Sequence, residues 1–376
     1  MKCQREKFQL PRKVSYINCA YMSPVMNKVE RVGRLAIAKK RKPYLIQTED
    51  FFLESHTLRL VYSTLINNSE KERVVIVPSV SYGMANAANN LKKKAGKIIL
   101  ADEQFPSNVY PWKSLENYQI AAIGPGNFPE RAKKWNDNIL DAIDENTAAV
   151  AIGHVHWVDG SLFDIKKIRE KTRAVGAALI IDGTQSVGAL PFDCAEFQPD
   201  ALICAGYKWL MGPYSIGLAY YGSYFDEGKP IENNWISRLN SENFGGLVHY
   251  QEEYQPGALR YEVGERSNFT LVPMMIEAIN QVNKWTPDAI QKYCGELLEP
   301  IVPELEKMGY QIEKPEYRSN HLVGVRIPSG KNMDEIRTKL LKSKVYVSVR
   351  SNAIRIAPNV YNDARDMNRL LNCLKI

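Results

Sequence analysis

From residue 73 to 222 the chain alternates short apolar runs with longer stretches in which apolar positions recur every three or four residues. The runs RVVIVPS, KIILA, QIAAIG, TAAVAIGHV, AALIID, DALICAG and GLAYYG read as strands. Between them, YGMANAANNLKKKAG, SNVYPWKSLENY, PERAKKWNDNILDAI and DIKKIREKTRAVG carry a helical period. Strands this uniformly apolar belong to a sheet covered on both faces, and their alternation with helices makes that sheet mostly parallel. Gly96 and Gly176 stand where the caps of two of these helices are expected. After about residue 257 the pattern changes. Helical LVPMMIEAINQVNKW and AIQKYCGELLEPIVPELEKMG precede strands HLVGVRI, VYVSVR and AIRIA and a closing helix, DARDMNRLLNCLKI. The chain is therefore expected to be an α/β protein with a large domain over 15–256 and a smaller α+β domain over 257–376. Residues 1–14 are expected to pack on the small domain.

Composition narrows the class without naming a function. With 376 residues, 45% hydrophobic and 24% charged, the chain is ordinary for a globular protein of two domains. MKCQREKFQLPRK has no apolar run of signal-peptide length, and no segment reaches the roughly 20 apolar residues of a membrane helix. The expectation is a cytoplasmic protein with no membrane partner. Six scattered cysteines form no C-x-x-C pair and no disulfide framework. The excess of 49 basic over 42 acidic residues, +7, is mild. KKRK at 39–42 and KKK at 92–94 read as solvated helix faces rather than a nucleic-acid surface, since no nucleic-acid motif accompanies them. His154 and His156 in HVH are two apart, on one face if the segment is a strand, but no matching cluster of ligands accompanies them and no metal is expected. GPGNFPE at 124–130 lacks the third glycine of a dinucleotide fingerprint, and no P-loop occurs.

The informative chemistry lies at two strand ends. In LIIDGTQSVG, Asp182 ends an apolar strand, and ligands of open α/β sheets bind outside the carboxyl ends of strands. The next strand delivers AGYKWLMGPYSIG, in which Lys208 is surrounded by apolar residues and glycine. A lysine held in such a setting has a depressed pKa and becomes a usable nucleophile and base, as Schiff-base chemistry requires.

IIDGTQSVGALPFD followed by AGYKWLMGP resembles the class V aminotransferase family of pyridoxal-phosphate enzymes of fold type I, which also holds cysteine desulfurases, kynureninase and isopenicillin-N epimerase. The similarity runs from YINCAYMSP to IRIAPNVYN. It implies pyridoxal 5'-phosphate as cofactor, Lys208 as its Schiff-base lysine and the catalytic base, and Asp182 as the partner of the pyridine N–H. Gln185 would donate to the cofactor's phenolate oxygen, Phe105 would stack on the ring, and the N–H groups of Val80 and Ser81 with the Ser81 hydroxyl would hold the phosphate. Two departures stand out. Ala205 and Tyr207 occupy positions where relatives often carry a phosphate-binding serine and histidine, leaving the Tyr207 hydroxyl as a replacement for one of them. Trp157 stands in place of an asparagine near the phenolate.

For the substrate, Arg350 and Arg355 are the candidates to fork onto an α-carboxylate, with Arg350 nearer the family position. RYEVGERSNF at 260–269 falls where relatives send a loop into the neighbouring subunit, which implies a homodimer with active sites at the interface. A desulfurase of this family needs a loop cysteine near Arg350, and 342–359 has none. An amino-acid substrate and transamination are therefore expected, since transamination needs only Lys208 as base. Epimerisation, which requires a second acid, and C–S lysis are the alternatives. A pyridoxal-phosphate-binding protein without activity is the competing class, and the joint retention of Lys208, Asp182, Gln185 and a carboxylate arginine argues against it.

Overall fold

The computed structural model describes every residue except 129, 351 and 376. Strand β1 (Ser15–Tyr16) is followed by helices α1 (Asn27–Lys39) and α2 (Leu53–Leu65). The alternating segment forms β2 (Val74–Val77), α3 (Val80–Asn89), β3 (Gly96–Ala101), α4 (Tyr110–Lys113), β4 (Tyr118–Ile123) and α5 (Arg131–Ala142). It continues with β5 (Thr147–Gly153), α6 (Ile165–Ala174), β6 (Ala178–Asp182), α7 (Cys194–Phe197), β7 (Ala201–Ala205) and β8 (Gly217–Tyr221). A long stretch with only short turns of helix leads to α8 (Leu271–Trp285), α9 (Pro287–Leu298) and α10 (Val302–Lys307). The chain ends with β9 (Val323–Arg326), α11 (Met333–Lys342), β10 (Val345–Tyr346), β11 (Ser348–Arg350), β12 (Ala353–Ile356) and α12 (Ala364–Leu374).

Seven strands form the large sheet in the order β2-β8-β7-β6-β5-β3-β4. Only β8 runs against its neighbours, pairing antiparallel with β2 and β7. Successive residues feed opposite cores: Ile99, Ile152 and Ile181 pack with α1, α2, α5, α6 and α8, whereas Leu100, Ala151 and Ile180 pack with α3 and Trp112. Burial on both faces is why these strands lack polar alternation. Helix starts follow local chemistry: Ser79 Oγ accepts the Tyr82 N–H at 3.2 Å to open α3, and Asp164 accepts the Lys167 N–H at 3.1 Å to open α6.

Several elements depart from the expected spans. Helix α3 stops at Asn89, so Gly96 is no cap; it opens β3 at φ +123°, where a side chain would collide with the Asn146 carbonyl. Lys93 lies on no helix face either, for its Nζ donates to the carbonyls of Glu145, Thr147 and Val175 at 2.8–3.0 Å and pins the turn. SNVYPWKSLENY yields one 3-10 turn and the single turn α4, each opened by a proline. The helix expected over 129–143 is seen from Arg131, residue 129 lying outside the described residues. The run 289–309 is split into α9 and α10 around Pro300 and Pro303. VYVSVR is split between two sheets, β10 pairing parallel with β1 and β11 joining the antiparallel sheet β11-β12-β9.

That sheet, with α9–α12, encloses a separate core that includes Leu305, Val325, Ile354 and Leu370. Helix α8 shares the large sheet's core instead, through Met275, Ile279 and Val282. The N-terminal segment lies on the C-terminal unit: Arg5 and Asp366, both buried, pair at 3.0 Å, and the Gln4 N–H donates to the Val360 carbonyl at 2.7 Å.

Candidate active site

The carboxyl ends of β2, β3, β5, β6 and β7 open onto one cavity of about 350 Å³. It brings together Lys208, Asp182, Gln185, Phe105, Tyr207, Trp157, Val80 and Ser81 from distant parts of the chain. Parallel strands produce this convergence, because every strand-to-helix loop leaves on the same edge of the sheet.

Lys208 is 7% exposed, and its Nζ makes no hydrogen bond or ion pair among the described residues. It lies 5.4 Å from the ring centre of Phe105 and 5.6 Å from that of Tyr207. Burial pushes its pKa down to about 8; Asp182 works in the opposite direction, and Arg355 and Arg350 add to the depression. Asp182 is equally buried and accepts the Thr184 N–H at 3.0 Å. Burial raises its pKa, while Thr184 and Lys208 pull it back.

Gln185 is held from three sides. Its Nε2 donates to the Ala20 carbonyl at 3.0 Å, its Oε1 accepts from Trp209 Nε1 at 2.9 Å, and its carbonyl accepts from His321 Nε2 at 2.7 Å. One amide N–H is left over on a side chain that lines the cavity. Phe105 meets Trp157 edge-on with ring centres 5.3 Å apart, and Trp157 Nε1 donates to the Glu103 carbonyl at 2.7 Å. Ser79 satisfies the third N–H of α3, those of Val80 and Ser81 at the helix start have no partner among the described residues, and both residues line the cavity.

The two arginines stand apart from this lining. Arg355 is 2% exposed; its Nη1 donates to the Trp157 carbonyl at 2.9 Å and its Nη2 to Ser348 Oγ at 3.4 Å. Arg350 is partly buried, with its guanidinium 5.8 Å from the Trp157 ring centre. Ser79, Thr184 and Ser215 also line the cavity and were not singled out by the sequence. Ser215 takes a left-handed φ of +65°, uncommon outside glycine, and GPYSIG offers no sign of it. The two histidines of HVH follow the end of β5 and diverge. His154 lies between the rings of Phe192 and Phe197, while His156 pairs with Asp159 at 3.1 Å. Among the described residues no three metal-ligating side chains converge.

A buried amine without a partner, a buried carboxylate at the end of the adjacent strand, and free helix-start N–H groups fit pyridoxal phosphate, which needs an amine for its aldehyde, a carboxylate for its ring nitrogen and donors for its phosphate. Residues 48–363 match the family described as Aminotransferase class-V. The chain belongs to the class V aminotransferase family. It is thus a pyridoxal-phosphate-dependent enzyme acting on amino acids. Among class V relatives, the uncharacterised aminotransferase YcbU of Bacillus subtilis is 26% identical over 302 residues, 80% of this chain and 77% of that protein. A kynureninase of Cryptococcus neoformans is 25% identical over 352 residues, covering 84% and 76%. The structure of the cystine C–S lyase C-DES with its product cysteine persulfide superposes with a TM-score of 0.87 at 17% identity, over 96% of this chain and 97% of that one. The two chains therefore share a fold.

Proposed function

We propose that this class V enzyme is an aminotransferase for an amino acid, working as a cytoplasmic homodimer. The observation that carries the reading is the content of the cavity: among the described residues lining it, Lys208 is the single amine, Asp182 the single carboxylate, and no histidine or cysteine is present. When bound, pyridoxal phosphate supplies a ring that withdraws the electrons left on the substrate's Cα.

Lys208 attaches the cofactor through its amine, and burial supports this by making that amine neutral near pH 8. With cofactor and substrate bound, Lys208 would serve as the base that takes the proton from the substrate's Cα and would return it on the cofactor side. Asp182 holds the ring nitrogen. Burial alone favours its neutral acid, so the positive ring N–H is the partner that makes the carboxylate its stable form. Phe105, whose ring centre lies 5.4 Å from Lys208 Nζ, and Trp157 packed against it carry no titratable proton, which supports a single-base reaction over epimerisation. Gln185 would donate its remaining N–H to the phenolate oxygen, and Val80 and Ser81, with Tyr207, would hold the phosphate, all four residues lining the cavity.

For the α-carboxylate the geometry favours Arg355 over Arg350, because Trp157 and Ser348 hold the Arg355 fork in one orientation before any ligand arrives. The homodimer reading is supported by exposed apolar side chains at Leu239 and Tyr250, and by Glu265, which stands exposed between the buried Glu262 and Arg266 in the segment expected to reach the neighbouring subunit. Among the described residues no helix is long and apolar enough to cross a membrane.

Incubation with a panel of amino acids in deuterated water, without an acceptor, tests the reaction. Transamination releases about one keto acid per site and bleaches the bound cofactor's aldehyde colour. Deuterium at Cα with inverted configuration and no keto acid would establish epimerisation instead. Ammonia together with a pyruvate-like fragment would establish elimination.

A further inference from the structure

The two arginines of the C-terminal hairpin form one cationic face. In the β11–β12 register Ser348 lies opposite Arg355 and Arg350 opposite Ala353, so Arg350 and Arg355 are diagonal neighbours on the same side of the ribbon. Both converge on Trp157, whose carbonyl accepts from Arg355 Nη1 at 2.9 Å and whose ring lies 5.8 Å from the Arg350 guanidinium. Trp157 in turn lines the cavity beside Phe105, which Lys208 Nζ faces at 5.4 Å.

Neither arginine has an ion-pair partner among the described residues, although 22 such pairs occur elsewhere, several of them nearly fully buried. Arg355 Nε is also buried with no acceptor. Two adjacent guanidiniums repel one another, and an uncompensated cation next to a desolvated one is costly. Among the described residues lining the cavity the only carboxylate, Asp182, is the partner proposed for the cofactor's ring nitrogen. An α-carboxylate satisfies one fork and leaves the other.

From this we infer that the substrate carries two anionic groups: a dicarboxylic amino acid, its α-carboxylate on Arg355 and its side-chain carboxylate on Arg350. Arg350 is the more exposed of the two, its guanidinium held among the described residues only by one hydrogen bond from Nη1 to the adjacent Val349 carbonyl at 2.9 Å and by the Trp157 face at 5.8 Å, so it has more freedom than Arg355 to meet side chains of different length. This inference rests on the reading of the cavity as an amino-acid site.

The test uses the cofactor-loaded enzyme and two kinds of ligand. In calorimetric titration, succinate and glutarate are compared with butyrate, none of which has an amine to react. In spectral titration of the bound cofactor, aspartate and glutamate are compared with asparagine and glutamine. Each diacid is expected to bind about tenfold or more tightly than its neutral or monoacid counterpart, the scale of one charge-assisted fork. In Arg350→Gln that ratio is expected to fall towards one, whereas Arg355→Gln weakens both members of each pair. Equal affinity of diacid and counterpart in the unmodified enzyme, or a preference that survives Arg350→Gln, would overturn the inference and leave the amino-acid reading standing. If no amino acid of either kind perturbs the cofactor spectrum, both fall together.

Discussion

Lys208 and Asp182 are each 7% exposed and come from the ends of adjacent parallel strands, and burial acts on them in opposite senses. The amine is driven towards its neutral form and the carboxyl towards its protonated form, so neither is content until a ligand brings the complementary group. For Lys208 this gives a pH prediction. Its amine attacks only when unprotonated, so capture of pyridoxal phosphate by cofactor-free protein should quicken about tenfold per pH unit below about pH 8 and level off above it. Stopped-flow absorbance across pH 6–10 measures this, and a rate still climbing towards the ordinary lysine value of 10.5 would show that Lys208 is not desolvated in the free protein. This pair could be read from the sequence because a carboxylate ending a hydrocarbon strand and a lysine among tryptophan, leucine and methionine are chemically out of place. Ser79, Thr184 and Ser215 could not, since small polar residues in turns are common. Their role depends on a helix start, a strand end and a left-handed φ that only the folded chain reveals.

Strands were more legible than helices. Each of the seven runs of the large sheet corresponds to one strand; two-sided burial writes the inner strands such as β5, β6 and β7 into the sequence as unbroken hydrocarbon, whereas the edge strand β4 is partly exposed. Spans failed where tertiary contacts override local period. Lys93 ties its loop to three carbonyls of segments 52 to 82 residues further along, those of Glu145, Thr147 and Val175, and VYVSVR changes sheets when β1 arrives from the other end of the molecule. One turn has a direct bearing on the site. Gly188 takes φ +98°, and a Cβ there would lie 2.5 Å from the carbonyl oxygen of Trp209, the residue after Lys208. Gly176 also has a positive φ, +65°, with nothing within 4 Å. Gly188→Ala should therefore destabilise by about 2–4 kcal/mol and impair cofactor retention, whereas Gly176→Ala should cost only about 1 kcal/mol and retain the cofactor. Equal costs in denaturant titrations of the two variants would show that the backbone behind Lys208 yields freely.

At the scale of the whole molecule, the site is a meeting of three parts. The large sheet supplies the cavity and the C-terminal hairpin supplies the arginines that face Trp157. The N-terminal segment stitches the two together: Asn18 bridges to Ala357, the Ala20 carbonyl accepts from Gln185, and the Ser23 N–H donates to the Tyr207 carbonyl. That third part was the least legible, since residues remote in the chain become neighbours of Lys208 without any local pattern to announce it. On the proposed reading all three meet at one covalent attachment point, Lys208, which borohydride reduction of the yellow holoenzyme followed by peptide mass spectrometry identifies. The account predicts loss of the colour and a single pyridoxyl adduct on the peptide containing Lys208. An adduct on any other lysine, or none at all, would contradict it.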